Sequence, residues 1–325
     1  MKALVCTKYG PLDSLKIKEV DRPVPKEGEV RIKVRAVSVN YSNIALVTGK
    51  PFLVRLMGFG LLKPKINIPG SEIAGTIDAV GRNVVGFKPG EGVFGDLSDC
   101  GRGGFAEYVC APVNALAHNP VNLSFEEAAC VPEAALVALQ GLRDAGKIKR
   151  GCKVLICGSS GGIGSFAVQI AKSFGAEVTG VCGTRNFDLV RKIGADHVID
   201  YAKEDFSRNG RQYDLILATA GYRSIFDYRR ALSPNGIYVA TGGSLRQVFE
   251  ATLLGPLLSA GGKKMGSMLV KVNKDLADVK GLIEGGKVKP LIDRCYPLCE
   301  AVEALGYYQK GHAKGRVVIS VEHNK

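Results

Sequence analysis

The sequence predicts an α/β chain in which a barrel-like β domain is interrupted by an inserted, doubly wound parallel sheet. Three observations carry this. The first third alternates apolar and polar residues with period two between Gly/Pro turns. The middle alternates strand-like and helix-like segments, and the last strand-like run, GRVVISV, resembles the strands of the first third. At 325 residues the chain is long enough for roughly two domains. The β domain is expected at 1–122, with a return at 263–325, and the inserted sheet at 123–262.

VRIKVRAVSV, residues 30–39, puts Val30, Ile32, Val34 and Ala36 on one face and Arg31, Lys33 and Arg35 on the other. That is the mark of a half-buried strand. Shorter strands are expected at 2–7, 14–19 and 73–80, with the turns PVPKEG and GFKPGEG among them. Short strands between such turns suit an antiparallel barrel. From Ser124 the texture changes. SFEEAACVPEAALVALQGL begins as a helix, with Ser124 as N-cap and Glu127 three residues on. Strands at 153–158, 177–182 and 197–201 then alternate with helices at 166–175 and 187–193. YDLILATAG and GIYVATGG add two buried β-rich runs, each ending in glycine.

Composition excludes several classes. The chain is 46% hydrophobic, 23% charged and 7% aromatic, which rules out disorder, collagen and coiled coil. No window reaches the ~18 uncharged apolar residues that a membrane span needs. Strand-like sequence begins at Met1, leaving no room for a secretory leader. Nine scattered cysteines suit reduced thiols in a cytoplasmic protein better than a disulfide framework. The balance of 44 basic and 31 acidic residues gives +13, which favours an anionic partner: a phosphorylated cofactor, an acidic substrate or nucleic acid.

The sharpest motif is GSSGGIG, Gly158 to Gly164, between the strand KVLIC and a helix. Glycines let backbone approach a pyrophosphate, and a helix N-terminus offers free N–H groups and positive partial charge. Strand, loop, helix and second strand occur in the order this chemistry requires. Ser160, Gly161, Gly162, Ile163 and Gly164 are therefore the expected phosphate cradle, with a plain glycine turn as the alternative. The second strand ends Val181-Cys182-Gly183-Thr184-Arg185-Asn186, without the acid that usually holds the ribose 2′-OH of NAD. Thr184 and Arg185 instead suit a 2′-phosphate, so NADPH is the expected cofactor. Alternatively, Arg185 caps or solvates the next helix.

VNYSNIALVTG (39–49), PGSEIAGTIDAVG (69–81), GGFAEYV (103–109), GADHVIDY (194–201) and GHAKGRVVI (311–319) occur in order around the glycine loop. With them the chain resembles, nearly end to end, the medium-chain dehydrogenase/reductases, and in particular their zinc-free quinone oxidoreductase branch. The resemblance implies a GroES-like β-barrel catalytic domain with an inserted Rossmann domain, and it makes a homodimer the default. It also implies that Asn40 turns its amide toward the nicotinamide and that Tyr201 lies by the adenosine phosphate. Gly221, Gly242 and Gly243 would bring backbone near the nicotinamide half, and Arg316 would look back toward the cofactor. A surface cation is the alternative for Arg316. Val137 stands where the family often has a threonine.

The zinc members of the family take a cysteine and a histidine where this chain resembles them with Asn40 and Ser71, so no metal is expected there. Only Cys100 and Cys110 fall near the family's structural-zinc lobe. Without zinc to polarise a carbonyl, the expected hydride acceptor is already electron-poor: a quinone or an α,β-unsaturated carbonyl, a small electrophile. Tyr41 would donate a proton to the enolate; alternatively it packs in the cleft wall and solvent supplies the proton.

KPFLVRLMGFGLLKPKI, residues 50–66, is unusually apolar. Phe52, Leu56 and Met57 are expected to line the substrate cleft, or else the segment packs on a neighbouring domain or subunit. Related enoyl-thioester reductases carry a tyrosine where this chain reads Lys50-Pro51-Phe52, which argues against that activity. A competing reading is a dinucleotide-loaded binding protein with a structural or nucleic-acid role and little turnover. The basic residues are dispersed and no aromatic RNA-recognition strand occurs, so nucleic acid is not the expected partner.

Overall fold

A computed structural model describes residues 1–56, 60–311 and 313–323, which divide into two compact units. The first comprises Met1–Glu133, Val272–Glu284 and Pro290–Lys325; the second comprises Ala134–Lys271 and Gly285–Lys289. Both junctions lie later than the sequence suggests. The helix after Ser124 belongs to the first unit because it packs on that unit's strands.

In the first unit β1 (Lys2–Val5) pairs antiparallel with β2 (Lys16–Glu19). The long β3 (Glu29–Val39) is flanked by β4 (Glu72–Val80) and pairs with β6 (Tyr108–Pro112); β5 (Gly92–Asp96) and β7 (Leu116–His118) extend the sheet beyond β4. Val30, Ile32, Val34 and Ala36 are fully buried while Arg35 is exposed, as period two requires. After a register shift near Arg35 the alternation ends, and Ala36 to Val39 are buried on both faces. Helix α1 (Tyr41–Thr48) follows β3 directly.

Helix α2 (Phe125–Ala129) opens with the expected reciprocal cap: the Glu127 N–H donates to Ser124 Oγ and the Ser124 N–H to Glu127 Oε2. The single long helix expected here is split, because Pro132 has no N–H to continue the ladder. A new helix, α3 (Pro132–Gln140), starts at that proline and runs into a π-helical turn at Gly141–Ala145.

The second unit has a six-stranded, all-parallel sheet. Its strands are β8 (Lys153–Cys157), β9 (Glu177–Cys182), β10 (His197–Asp200), β11 (Tyr213–Ala218), β12 (Leu232–Ala240) and β13 (Lys264–Ser267). They lie in the order β10-β9-β8-β11-β12-β13, so the direction of strand addition reverses after β10. In doubly wound sheets such reversals mark ligand crevices at the strands' carboxyl ends. Helices α4 (Gly162–Ser173), α5 (Phe187–Lys192), α6 (Ile225–Ala231), α7 (Leu245–Leu253) and α8 (Gly255–Leu258) connect the strands.

Helix α9 (Leu276–Glu284) returns the chain to the first unit. There β14 (Ile292–Pro297), α10 (Ala301–Gln309) and β15 (Arg316–Ser320) complete the seven-stranded sheet, with β15 antiparallel to β3. No helix among the described residues is long and apolar enough to cross a membrane.

Candidate active site

The glycine loop of the second unit joins the end of β8 to the start of α4. Gly158 has φ +81°, and a Cβ there would meet Ala220 at 2.6 Å. A Cβ on Gly164 would lie 2.0 Å from the Gly158 carbonyl oxygen, so the turn closes only because both positions are glycine. Gly161 is the N-cap of α4 and has no side chain to satisfy the first-turn N–H groups. Ser160 Oγ accepts from Asn186 Nδ2 at 2.9 Å, and Ser159 donates to the Val181 carbonyl at 3.1 Å, which ties the loop to the end of β9. Gly162 and Ile163 sit half-exposed in the first turn. Gly221 and Gly243 take positive φ just beyond β11 and β12, and a Cβ on Gly242 would strike the Thr219 carbonyl at 2.5 Å. The residues present therefore fit a dinucleotide: an uncapped helix N-terminus of twelve residues and a backbone cradle that side chains would fill.

At the end of β9, Thr184 and Arg185 are exposed on a 3₁₀ turn. Contrary to the sequence expectation, a carboxylate lies nearby. Asp200 pairs with Cys182 across β9 and β10, and the Thr184 hydroxyl donates to Asp200 Oδ2. Parallel pairing brings in a carboxylate 16 residues along the chain. The Thr184 contact, with the Ala202 N–H at 2.9 Å, holds the Asp200 carboxyl below the usual range, so it is ionised at neutral pH. Tyr201 is exposed beside Gly183.

In the first unit Asn40 caps α1: its Oδ1 accepts from the Asn43 N–H at 3.1 Å and from Ser42 Oγ at 2.8 Å. Its Nδ2 faces Glu133 Oε2 at 2.8 Å, Glu72 Oε2 at 3.0 Å and Ser71 Oγ at 3.3 Å. The amide, buried and spent on these partners, is the hub of a network rather than a group directed outward. Ser42 also accepts from Arg102 Nη1 at 3.1 Å. Tyr41, the next residue, is 61% exposed. The ring is not packed away.

Arg316 is buried, and its guanidinium donates to Glu72 Oε2; it is no surface cation, and its charge is committed to Glu72. Burial pushes the Glu72 carboxyl up, and the Arg316 guanidinium opposes that shift. Glu72 also accepts the Glu133 N–H at 3.0 Å. Surrounded by donors, one of them a guanidinium, Glu72 has the setting of an ionised carboxylate. Burial, with Glu133 adding repulsion, pushes Asp96 up to about 6.

These residues do not fit zinc. Asn40 and Ser71 offer an amide and a hydroxyl already in hydrogen bonds, and a guanidinium neutralises Glu72. Among the described residues no three His, Cys, Asp or Glu side chains gather in a geometry that holds a metal. Phe52 and Leu56 are exposed, with Arg55 over the Phe52 ring at 5.6 Å; Met57 lies outside the described residues. Sequence reasoning missed Ser42, Glu72, Asp96, Arg102, Glu133 and Asp200. Glu72 and Glu133 carried a signal: each is a lone acid in an apolar string, IPGSEIAG and CVPEAALVA, where a charge must find a partner.

Known proteins match the chain over nearly its whole length. Residues 26–121 match the alcohol dehydrogenase GroES-like domain, and residues 193–319 match a zinc-binding dehydrogenase domain. The chain is 33% identical over 332 residues to the chloroplastic quinone-oxidoreductase QR1 of Triphysaria versicolor, covering 98% of each chain. It is 34% identical over 330 residues to the 2-methylene-furan-3-one reductase of Solanum lycopersicum, covering 98% of this chain and 79% of that protein. The solved quinone oxidoreductase of Coxiella burnetii superposes with a TM-score of 0.87 at 27% identity over 99% of both chains.

Proposed function

Because this chain belongs to the quinone-oxidoreductase-like medium-chain dehydrogenase/reductases and is a nicotinamide-dependent oxidoreductase, we propose that it reduces quinones or α,β-unsaturated carbonyls with NADPH and without metal. One observation carries the metal-free part: the Asn40–Ser71–Glu72–Glu133 network closed by Arg316, in which Asn40 and Ser71, the residues that by resemblance stand in for the zinc ligands, are already spent on hydrogen bonds. No Lewis acid then polarises the acceptor, so the acceptor must spread incoming negative charge itself, as enones and quinones do. The bound dinucleotide supplies the hydride, and a proton completes the reduction of the C=C bond or the quinone. On the chain's side, the Gly158–Gly164 backbone and the α4 N-terminus hold the pyrophosphate, and Arg185 favours a 2′-phosphate. The exposed Tyr41 hydroxyl is within reach of solvent, so either can deliver the proton. A homodimer and a cytoplasmic location complete the proposal.

The test is NADPH consumption at about 340 nm with 1,4-quinones, enones, 2-alkenals and saturated aldehydes, with chelator present and NADH in parallel. Chelator-resistant turnover of quinones or enones supports the reading. Loss of turnover that zinc restores, or turnover confined to saturated aldehydes, overturns it. Tyr41→Phe in the same panel separates a tyrosine proton from a solvent proton.

A further inference from the structure

The end of β10 places a carboxylate where the dinucleotide reading puts the adenosine ribose. Asp200 Oδ2 receives the Thr184 hydroxyl proton, and Oδ1 takes the Ala202 N–H at 2.9 Å. Thr184 has one proton, and that proton is committed to Asp200, so its oxygen can only accept from any further partner. An accepting hydroxyl and an anionic carboxylate both suit a ribose hydroxyl, which donates. Neither suits a phosphate, which accepts and is itself anionic. Arg185, one residue on from Thr184, favours the phosphate. Groups of opposite preference thus meet at one turn. The arrangement follows from backbone pairing: the register Asp200↔Cys182 aligns the ends of β10 and β9, and the turn at 184–186 begins directly after Gly183. Tyr201, next to Asp200, brings its hydroxyl close to Gly183, so the same strand end also supplies an aromatic edge.

We infer that Asp200 is a specificity-determining residue, which accepts from a ribose 2′-hydroxyl and opposes a 2′-phosphate, holding down the NADPH preference that Arg185 raises. This rests on the reading of the glycine loop as a dinucleotide site. It gives the chain use of both NADPH and NADH, with the balance set by Asp200 and Arg185 together.

The test measures dissociation constants of NADPH, NADH, adenosine 2′,5′-bisphosphate and 5′-AMP by titration calorimetry. The proteins are wild type, Asp200→Asn and Asp200→Ser, with thermal melts confirming that each variant is folded. Asn keeps an acceptor for Thr184 and removes the charge; Ser is the second variant should Asn perturb the strand end. Removing the charge should tighten NADPH and the 2′,5′-bisphosphate about fivefold, the effect of one unit charge about 4 Å away in water. NADH and 5′-AMP should stay the same or weaken. The gain should fade at high salt, which a role limited to holding the turn would not produce. If wild type binds the dinucleotides but the NADPH/NADH ratio stays within about twofold in folded variants, or moves toward NADH, the Asp200 inference is wrong while the cofactor site stands. If wild type binds neither dinucleotide, the cofactor reading fails and takes this inference with it.

Discussion

Arg316 at the start of β15 donates to the Glu72 carboxylate of β4, joining two fully enclosed charges 244 residues apart in the sequence. The Asn40 amide and the Glu133 backbone complete the Glu72 shell, so the carboxylate has a partner on every side.

Removing one member leaves the other enclosed without its partner: Glu72 must then take up a proton or stay charged at a cost, and Arg316 stays charged. Arg316→Met should destabilise the first unit by about 3–5 kcal/mol, read as a shift in denaturant midpoint. Adding Glu72→Gln should restore part of the loss, since no lone charge then remains. A double variant whose loss equals the sum of the singles would show that the two do not act as a pair.

Asp96 carries a pH signature. Burial raises its carboxyl from 3.8 to about 6, so between these values the folded state keeps a proton that the unfolded state has released. Its contribution is fully present below the unfolded pKa and is lost as pH rises through the folded pKa. Relative to Asp96→Asn, wild type should lose about 3 kcal/mol between pH ~4 and ~6, then level off. Urea melts of both proteins across that window check it; parallel profiles would mean that Asp96 ionises normally.

Gly164 and Gly161 should respond differently to alanine. At Gly164 the Cβ would overlap the Gly158 carbonyl at 2.0 Å, so the loop must open; a cost of about 1–3 kcal/mol and at least tenfold weaker dinucleotide binding are expected. At Gly161 the nearest atom is 3.4 Å away, and stability should stay within about 0.5 kcal/mol of wild type. Thermal melts and dinucleotide titrations on both variants decide this. Equal effects would mean that packing of the turn does not control the site.

Arg185→Ala should weaken NADPH by about tenfold, or 1.4 kcal/mol, and leave NADH unchanged. Titration of both nucleotides checks it. Undiminished selectivity would place the phosphate-binding group elsewhere.

Local pattern made much of this protein legible. The alternation of VRIKVRAVSV located β3, EVTGVC matched β9 residue for residue, and Ser124 with Glu127 marked the start of α2. The string GSSGGIG between a strand and a helix located the tight turn that opens α4 because close approach of backbone is a property of the glycines themselves. Pro132, by contrast, lies inside a continuous apolar helical pattern that masks the break its missing N–H makes between α2 and α3.

Local sequence set the strands, the glycine turn and the lack of a thiolate or imidazole at positions 40 and 71, since each is read from residues close in the chain. Tertiary structure alone decided which charges meet. Strand pairing carries Asp200 to Thr184, and the return of the C-terminus carries Arg316 to Glu72. Periodicity records which face of a strand is buried, whereas a hydrogen bond between distant strands depends on register and connection, and neither is written in any local window.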